Sequence, residues 1–329
     1  MAGKPAMAQV EALLGARRFA EAAQHLAAAA GAGDAAALHA LAMWRIAGDI
    51  VRRDLPQARA LMARAADAGS RDAAVLSATF EANGLGGGAD WPKAMALLAG
   101  LARTVPAAAR QLRLIAAMDL DLAGDPQRLP EPQRLSNSPW AEAVPGFLSH
   151  EECLYLLQAA QPLFQPSLVV DPASGRMVPH PIRVSEAAMF GVVHEDPVIA
   201  AINRRIAALS GTAPANGEPL QILRYRPGGE YRAHMDALPA EANQRVYTLL
   251  VYLSDGYEGG ETHFLRTGLS YRGRAGDALL FRNVTEDGQA DPMSQHAGLP
   301  VTRGLKQIAS RWIRARPFVF PPPRPLLAM

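Results

Sequence analysis

The sequence predicts an α+β chain of more than one domain: an N-terminal α-solenoid followed by a double-sheet jelly roll with supporting helices. Three observations lead there. Alanine- and leucine-rich text with helical spacing and few β-branched residues runs to about residue 122. Inside that half, a block recurs at a spacing in the mid-thirties. After Leu220 the text becomes a series of short apolar runs separated by glycine turns.

The first half, residues 1–122, is expected to be a helical repeat domain. DLPQARALM at 54–62 matches DWPKAMALL at 90–98, an offset of 36, and GAGDAAAL at 31–38 matches GSRDAAVL at 69–76, an offset of 38. A period in the mid-thirties built on alanine-packed helix pairs marks an α-solenoid. It resembles tetratricopeptide-like repeats of the Sel type. Asp54 and Asp90, each two residues before a proline, read as helix starts. The Pro-rich polar stretch 123–139 reads as a linker.

Residues 140–329 are expected to form the second domain. SHEE at 149–152 is a capping box that opens a helix reaching residue 160. Asp196 and Pro197 cap and start another, through Leu209. Strands are expected over 220–225, 231–236, 245–253, 261–264, 277–281 and 305–314, with turns at Pro227–Gly229, Gly256, Gly259–Gly260 and 273–276 between them. Two helices followed by many short strands suggest a jelly roll with helices on one sheet. The tail from Pro317, PFVFPPPRP, reads as a packed, extended terminus.

Composition excludes several functions. Of 329 residues 49% are apolar and 19% charged, which describes a soluble globular protein. No apolar run nears the roughly 20 residues of a membrane span. A net charge of +2 offers no electrostatic case for nucleic acid. The single cysteine, Cys153, excludes an internal disulfide framework and suits a reducing cytoplasm. Among 33 basic residues only Lys4, Lys93 and Lys306 are lysines, an imbalance that reads as the codon bias of a GC-rich bacterium. It makes any lysine at a chemically meaningful position informative.

The chemistry starts from two His-x-Asp pairs, His194/Asp196 and His234/Asp236. Eight histidines and 16 aspartates in this length produce about 0.4 such pairs by chance, so the pattern alone is weak. At His194 the aspartate is explained as a helix cap. At His234 the context is a strand, where residues two apart project from one face and can meet one ion. Two histidines and a carboxylate on one face, with open positions left over, suit non-haem Fe(II). His263 and His296 are the candidates for the second histidine. Only His296 has a lysine ten residues on, Lys306, on a long β-patterned strand.

At this point the sequence resembles the prolyl 4-hydroxylase branch of the Fe(II)/2-oxoglutarate-dependent dioxygenases, from about Trp140 to Phe318. The matching text is RVS at 183–185, YRPGGEYRAHMD at 225–236, TLLVYLS at 248–254, GGETHF at 259–264, GDALLF at 276–281, HAGLPVTRGLK at 296–306 and WIR at 312–314. The resemblance implies a double-stranded β-helix with iron on His234, Asp236 and His296. It implies that Lys306 and Tyr225 hold the distal carboxylate of 2-oxoglutarate, with Thr248 a further co-substrate contact. Tyr231 and Trp312 fall where such enzymes line their substrate pocket, and Arg245 is a further candidate for contact with substrate. The implied cofactors are Fe(II), 2-oxoglutarate, O2 and ascorbate as reductant, with succinate and CO2 released. A peptide or protein substrate is expected, with a role for the repeats in presenting it, and the loop 283–295 is expected to lie over the site. A free amino acid or small metabolite is the alternative substrate. A repeat-based adaptor with a vestigial oxygenase is the alternative function.

Overall fold

The computed structural model describes residues 3–170, 177–179, 182–319 and 325–327. Most of the proline-rich tail expected as an extended terminus, residues 320–324, lies outside the described residues. The chain divides into two units: Met1–Asp125 with Val192–Ala201 and Val319–Met329, and Pro126–Gly191 with Ile202–Phe318. None of the described helices is long and apolar enough to cross a membrane.

Among its described residues up to Asp125 the first unit carries seven helices: α1 (Gly3–Gly15), α2 (Phe19–Gly31), α3 (Ala35–Ala47), α4 (Leu55–Asp67), α5 (Arg71–Asn83), α6 (Trp91–Ala102) and α7 (Pro106–Ala117). Each packs on its neighbours in sequence, and α1 also reaches α3. Alanines such as Ala22, Ala37, Ala58 and Ala65 are fully buried beside Leu26, Leu38, Met62 and Phe80, so helix backbones approach closely. The repeat is visible bond by bond at an offset of 36. Asp54 accepts from the backbone N–H of Gln57, and Asp90 from that of Lys93. α3 and α5 both end on a glycine at positive φ, Gly48 at 78° and Gly84 at 68°, conformations that glycine adopts without strain. The second block keeps this same offset rather than the 38 read from the sequence, because α5 is capped by Ser70, not by Asp72, and Ser70 stands 36 residues after the α3 cap Asp34.

Val192–Ala201 and the C-terminal residues group with these helices, although the sequence placed both in the second domain. Asn83 Nδ2 donates to the Glu195 carbonyl at 2.6 Å, Gln111 Nε2 donates to Asp196 Oδ2 at 3.1 Å, and the N–H groups of Leu326 and Leu327 donate to the carbonyls of Asp49 and Ile50. Asp196 is a helix cap as expected: its Oδ1 accepts from Val198 and Ile199 at the start of the helix Pro197–Ser210.

The second unit is built on short strands: β1 (Gln133–Asn137), β2 (Trp140–Val144), β3 (Gln165–Pro166), β4 (Leu168–Val170), β5 (Met177–Pro179), β6 (Glu186–Met189), β7 (Gln221–Tyr225), β8 (Tyr231–His234), β9 (Arg245–Tyr252), β10 (Tyr257–Gly259), β11 (Thr262–Phe264), β12 (Ser270–Tyr271), β13 (Ala278–Arg282), β14 (His296–Gly298), β15 (Val301–Gly304) and β16 (Lys306–Arg314). Eight form one sheet in the order β1-β2-β13-β9-β16-β7-β6-β3, and four form another, β12-β11-β14-β8. The neighbour pairings described are antiparallel. Side chains of the larger sheet, including Leu223, Leu250, Phe281 and Ile308, cluster with Phe264 of the smaller one, so the core lies between the two sheets. This is the expected jelly-roll arrangement. The stretch read as linker is shorter than expected, because Gln133–Asn137 joins the sheet as its edge strand. The prolines of the stretch lie at 126, 130, 132 and 139, outside the strand itself, whose QRLSN text is polar enough for an edge.

A helix over His150–Ala160, α8, follows the predicted capping box: Ser149 Oγ accepts from the Glu152 N–H, and Glu152 Oε2 accepts from the Ser149 N–H. The same carboxylate takes two hydrogen bonds from Arg205, at 3.0 and 2.7 Å, in a buried pair. Cys153 is buried beside it, its thiol pushed up to about 12 by burial and then by Glu152, so it is an inert core residue. Removing one partner of a buried ion pair strands the other. Arg205→Ala is expected to destabilise the second unit by about 3–5 kcal/mol, against about 1 kcal/mol for Ser149→Ala. The midpoint of urea unfolding followed by circular dichroism checks both.

Candidate metal centre and its pocket

Strand register brings the distant candidates together. On the smaller sheet His296 of β14 sits directly opposite His234 of β8. On the larger sheet Lys306 of β16 sits directly opposite Tyr225 of β7. Asp236 follows His234 by two residues and reaches both imidazoles: its Oδ1 is 3.5 Å from His234 Nε2, and its Oδ2 is 3.7 Å from His296 Nε2. The three offer ligand atoms within 4.8 Å of one another. His263 does not join them; its Nδ1 bonds Ser270 Oγ at 2.7 Å.

The outer contacts of these groups suit a metal. His234 Nδ1 lies 2.8 Å from the Arg232 carbonyl, and His296 Nδ1 lies 3.0 Å from the Ser294 carbonyl. A carbonyl only accepts, so each Nδ1 carries the hydrogen and Nε2 is the atom left to meet a metal. Burial pushes His296 down to about 4, with Asp236 pulling the other way, so the imidazole is neutral at physiological pH. Burial works to raise the pKa of Asp236, but His296, His234 and the Thr248 hydroxyl outweigh it and hold the carboxyl well below the usual range. Two imidazoles and one carboxylate, with no other ligand from the described residues, fit a divalent ion that keeps open positions.

Beside the triad, Lys306 is 3% exposed, with Nζ donating to the Gly260 carbonyl at 2.6 Å. The ammonium lies 5.2 Å from the Tyr225 ring centre and 5.9 Å from that of Tyr252. Gly259 and Gly260 both have positive φ, 71° and 70°, and this turn carries the carbonyl to the lysine. A Cβ on Gly260 would stand 3.1 Å from Lys306 Cδ. Burial lowers the lysine to about 8, with Glu261 opposing. Tyr225 is raised by burial, so its hydroxyl stays protonated; it bonds Ser185, whose Oγ lies 2.8 Å from that of Ser167.

The pocket joins these groups to an apolar wall of Leu223, Leu250 and Ile308, with Tyr231 and Trp312 also lining it. Tyr231 stacks on His234 at 3.5 Å between ring centres. Two tentative residues fall elsewhere. Thr248, expected to touch the co-substrate, does not line the pocket: its hydroxyl donates to Asp236 Oδ2 at 2.6 Å and accepts from Asn283. Arg245, expected at the substrate, is paired with Glu218 at 2.6 and 2.8 Å and lies over the Trp312 ring at 3.7 Å. It backs the tryptophan and does not face the pocket. Thr262, which the sequence reading missed, does line it, with Oγ1 3.1 Å from the Tyr252 hydroxyl. Its signal was the strand alternation of THF at 262–264, which buries Thr262 and Phe264 on one side. The loop 283–295, expected over the site, closes on itself: Asp291 N–H donates to the Asn283 carbonyl, and Ser294 Oγ donates to the Asp291 carbonyl.

Comparison with known proteins follows this geometry. Residues 220–314 match the 2OG-Fe(II) oxygenase superfamily. Prolyl 4-hydroxylase 1 of Arabidopsis thaliana is 38% identical over 205 residues, covering 56% of this chain and 72% of that protein. Probable prolyl 4-hydroxylase 3 of the same plant is 37% identical over 203 residues, covering 54% and 70%. A crystal structure of the viral collagen prolyl hydroxylase from Paramecium Bursaria Chlorella virus-1, in its 2OG complex, is 30% identical, covers 55% of this chain and 99% of that one, and has a TM-score of 0.44. The match defines a 2OG-Fe(II) oxygenase, an enzyme that uses Fe(II), 2-oxoglutarate and O2. Within that class the chain belongs to the prolyl 4-hydroxylase family.

A neutral histidine buried in the fold makes stability depend on pH. In the unfolded chain His296 takes a proton near 6.5, whereas folded it resists until about 4. The unfolded state therefore binds more protons between those values, and stability falls as pH falls through that window. The unfolding midpoint of the metal-free protein is expected to drop from pH 6.5 to 4, and His296→Gln to flatten the drop.

Proposed function

We propose that this enzyme hydroxylates prolyl residues of a peptide or protein, coupled to conversion of 2-oxoglutarate to succinate and CO2. The observation that carries the reading is the His234/Asp236/His296 triad sharing one pocket with the buried Lys306 ammonium. Fe(II) bound there would supply O2 activation coupled to oxidative decarboxylation of the 2-oxo acid. His234, Asp236 and His296 would hold the ion, and their ligand atoms line the same pocket as Lys306. Lys306 and Tyr225 take the distal carboxylate of 2-oxoglutarate: the ammonium supplies the opposite charge, and the protonated phenol supplies a donor. Leu223, Leu250 and Ile308 keep water from the co-substrate chain, and exclusion of water strengthens the lysine–carboxylate pair. Tyr231 and Trp312 offer aromatic faces for a proline ring, with Arg245 behind the indole. The relatives' names as prolyl 4-hydroxylases support the substrate class. Ascorbate as reductant and a reducing cytoplasm suit a ferrous site and a lone free thiol. The helical repeats offer an extended surface for presenting a protein substrate.

The decisive measurement is succinate formation from 2-oxoglutarate by the full chain with Fe(II) and ascorbate, over a panel of proline-containing peptides, with mass spectrometry for a +16 Da product. His234→Ala is expected to abolish both signals. Turnover that never responds to any peptide would redirect the reading to a small metabolite. No turnover at all would favour the adaptor reading.

The lysine adds a pH signature. Its charge is lost as pH rises through about 8, so 2-oxoglutarate affinity should be flat below that value and weaken by up to about tenfold per pH unit above it. Lys306→Arg, which stays charged, is expected to bind with no such bend. Calorimetric titration of 2-oxoglutarate from pH 6.5 to 9.5 reads the difference.

A further inference from the structure

Asp236 is 3% exposed, Thr248 1% and Asn283 0%, so no solvent is at hand to replace a hydrogen bond lost among them. Thr248 Oγ1 lies 2.6 Å from Asp236 Oδ2 and 2.9 Å from Asn283 Nδ2. The carboxylate can only accept, so the one hydroxyl hydrogen of Thr248 points at Oδ2. The oxygen of Thr248 is then an acceptor only, and the group facing it must be the amide nitrogen of Asn283. The chain of bonds has one direction, Asn283 to Thr248 to Asp236. Backbone bonds fix its two donors: Asn283 N–H donates to the Val246 carbonyl, and Thr248 sits in the ladder opposite Trp312 and Phe281.

Two features mark this chain as more than core packing. Asn283 Oδ1 is buried with no hydrogen-bond partner, a penalty that a polar residue kept only for packing would not carry. The bond also falls on one chosen oxygen of the carboxylate. Oδ2 takes the Thr248 hydroxyl and lies 3.7 Å from His296 Nε2, while Oδ1 lies 3.5 Å from His234 Nε2.

We propose that Thr248 and Asn283 are positioning residues that lock the orientation in which the Asp236 carboxylate meets the metal. This rests on the reading of the triad as a metal site. A carboxylate free to rotate could offer both oxygens and fill a position that the co-substrate and O2 need. With Oδ2 tethered, rotation about the Cβ–Cγ bond breaks a buried hydrogen bond. The relay thereby protects an open position as well as affinity.

Co(II) bound to the full-length protein reports both properties, affinity by titration and coordination number by its visible absorption, without turnover. Thr248→Val keeps the shape and removes the hydroxyl; it is expected to weaken Co(II) binding by about 10–100-fold and to change the absorption spectrum. Thr248→Ser retains the donor and is expected to restore the wild-type spectrum with affinity within about threefold of wild type. Asn283→Ala leaves the hydroxyl but frees its rotation, and a loss of about three- to tenfold is expected. Adding Asn283→Ala to Thr248→Val should weaken binding no further, because the two act in series. If Thr248→Val does not fold, the Thr248→Ser and Asn283→Ala pair carries the test. Wild-type affinity and spectrum in Thr248→Val, or in Asn283→Ala when that pair carries the test, would overturn the relay while Asp236→Ala still abolishes binding. Undiminished binding in Asp236→Ala, or none in wild type, would sink the triad reading and the relay with it.

Discussion

A carboxylate taken almost wholly out of water is the constraint on which the second unit turns. Asp236 sits between His234 and His296 and accepts a hydrogen bond from Thr248, and its carboxyl is held well below the usual range. An isolated buried anion would be prohibitively costly, so every element that delivers one of those neighbours must hold its place. β8 delivers His234, β14 delivers His296, and β9 delivers Thr248. The two sheets are thus coupled through one side chain: the smaller sheet supplies the imidazoles and the larger one the hydroxyl. The pocket lies where that coupling happens.

Much of this was legible in the sequence because strands have a simple period. His234 and Asp236 share a face by spacing alone, and Lys306 stood out among so few lysines. The fold class, the capping box at Ser149 and the Asp196 cap rest on local rules of the same kind. Pairings across long separations were legible only through the resemblance to a family, since register between β8 and β14 is set by the whole sheet. What went unread was the direction in which polar side chains turn. Thr248 and Arg245 were placed in the right neighbourhood but assigned to ligands, when Asp236 and Glu218 already engage them. Thr262 was overlooked because a lone threonine in a short strand carries no chemical signature. The grouping of Val192–Ala201 with the helices went unread for a different reason: side-chain bonds that leave no periodic trace join it to them.

The helical unit shows the opposite balance. Its repeat was legible, yet its exact offset was not, because identical letters misled where caps did not. Asp34 and Ser70 perform the same task with different side chains, each accepting a hydrogen bond from the N–H three residues on. Matching by letter paired Asp34 with Asp72 and slipped by two residues. Matching by task restores one spacing for both helix pairs. In repeat proteins the conserved quantity is the bond that ends or begins a helix, and several residue types can supply it.

One strand of the pocket also acts as a ruler. Lys306, Ile308, Ser310 and Trp312 all line the cavity, every second residue of β16, while the residues between them face away. At about 3.3 Å per residue, the step from Lys306 to Trp312 spans roughly 20 Å of backbone. The distance between an anion at one end and a ring at the other is therefore written in the residue count of a single strand. Inserting one residue between them would do more than lengthen the span: it would turn one of the two markers to the opposite face of the sheet. Such a pocket can change its lining freely, but it can change its length only in steps of two.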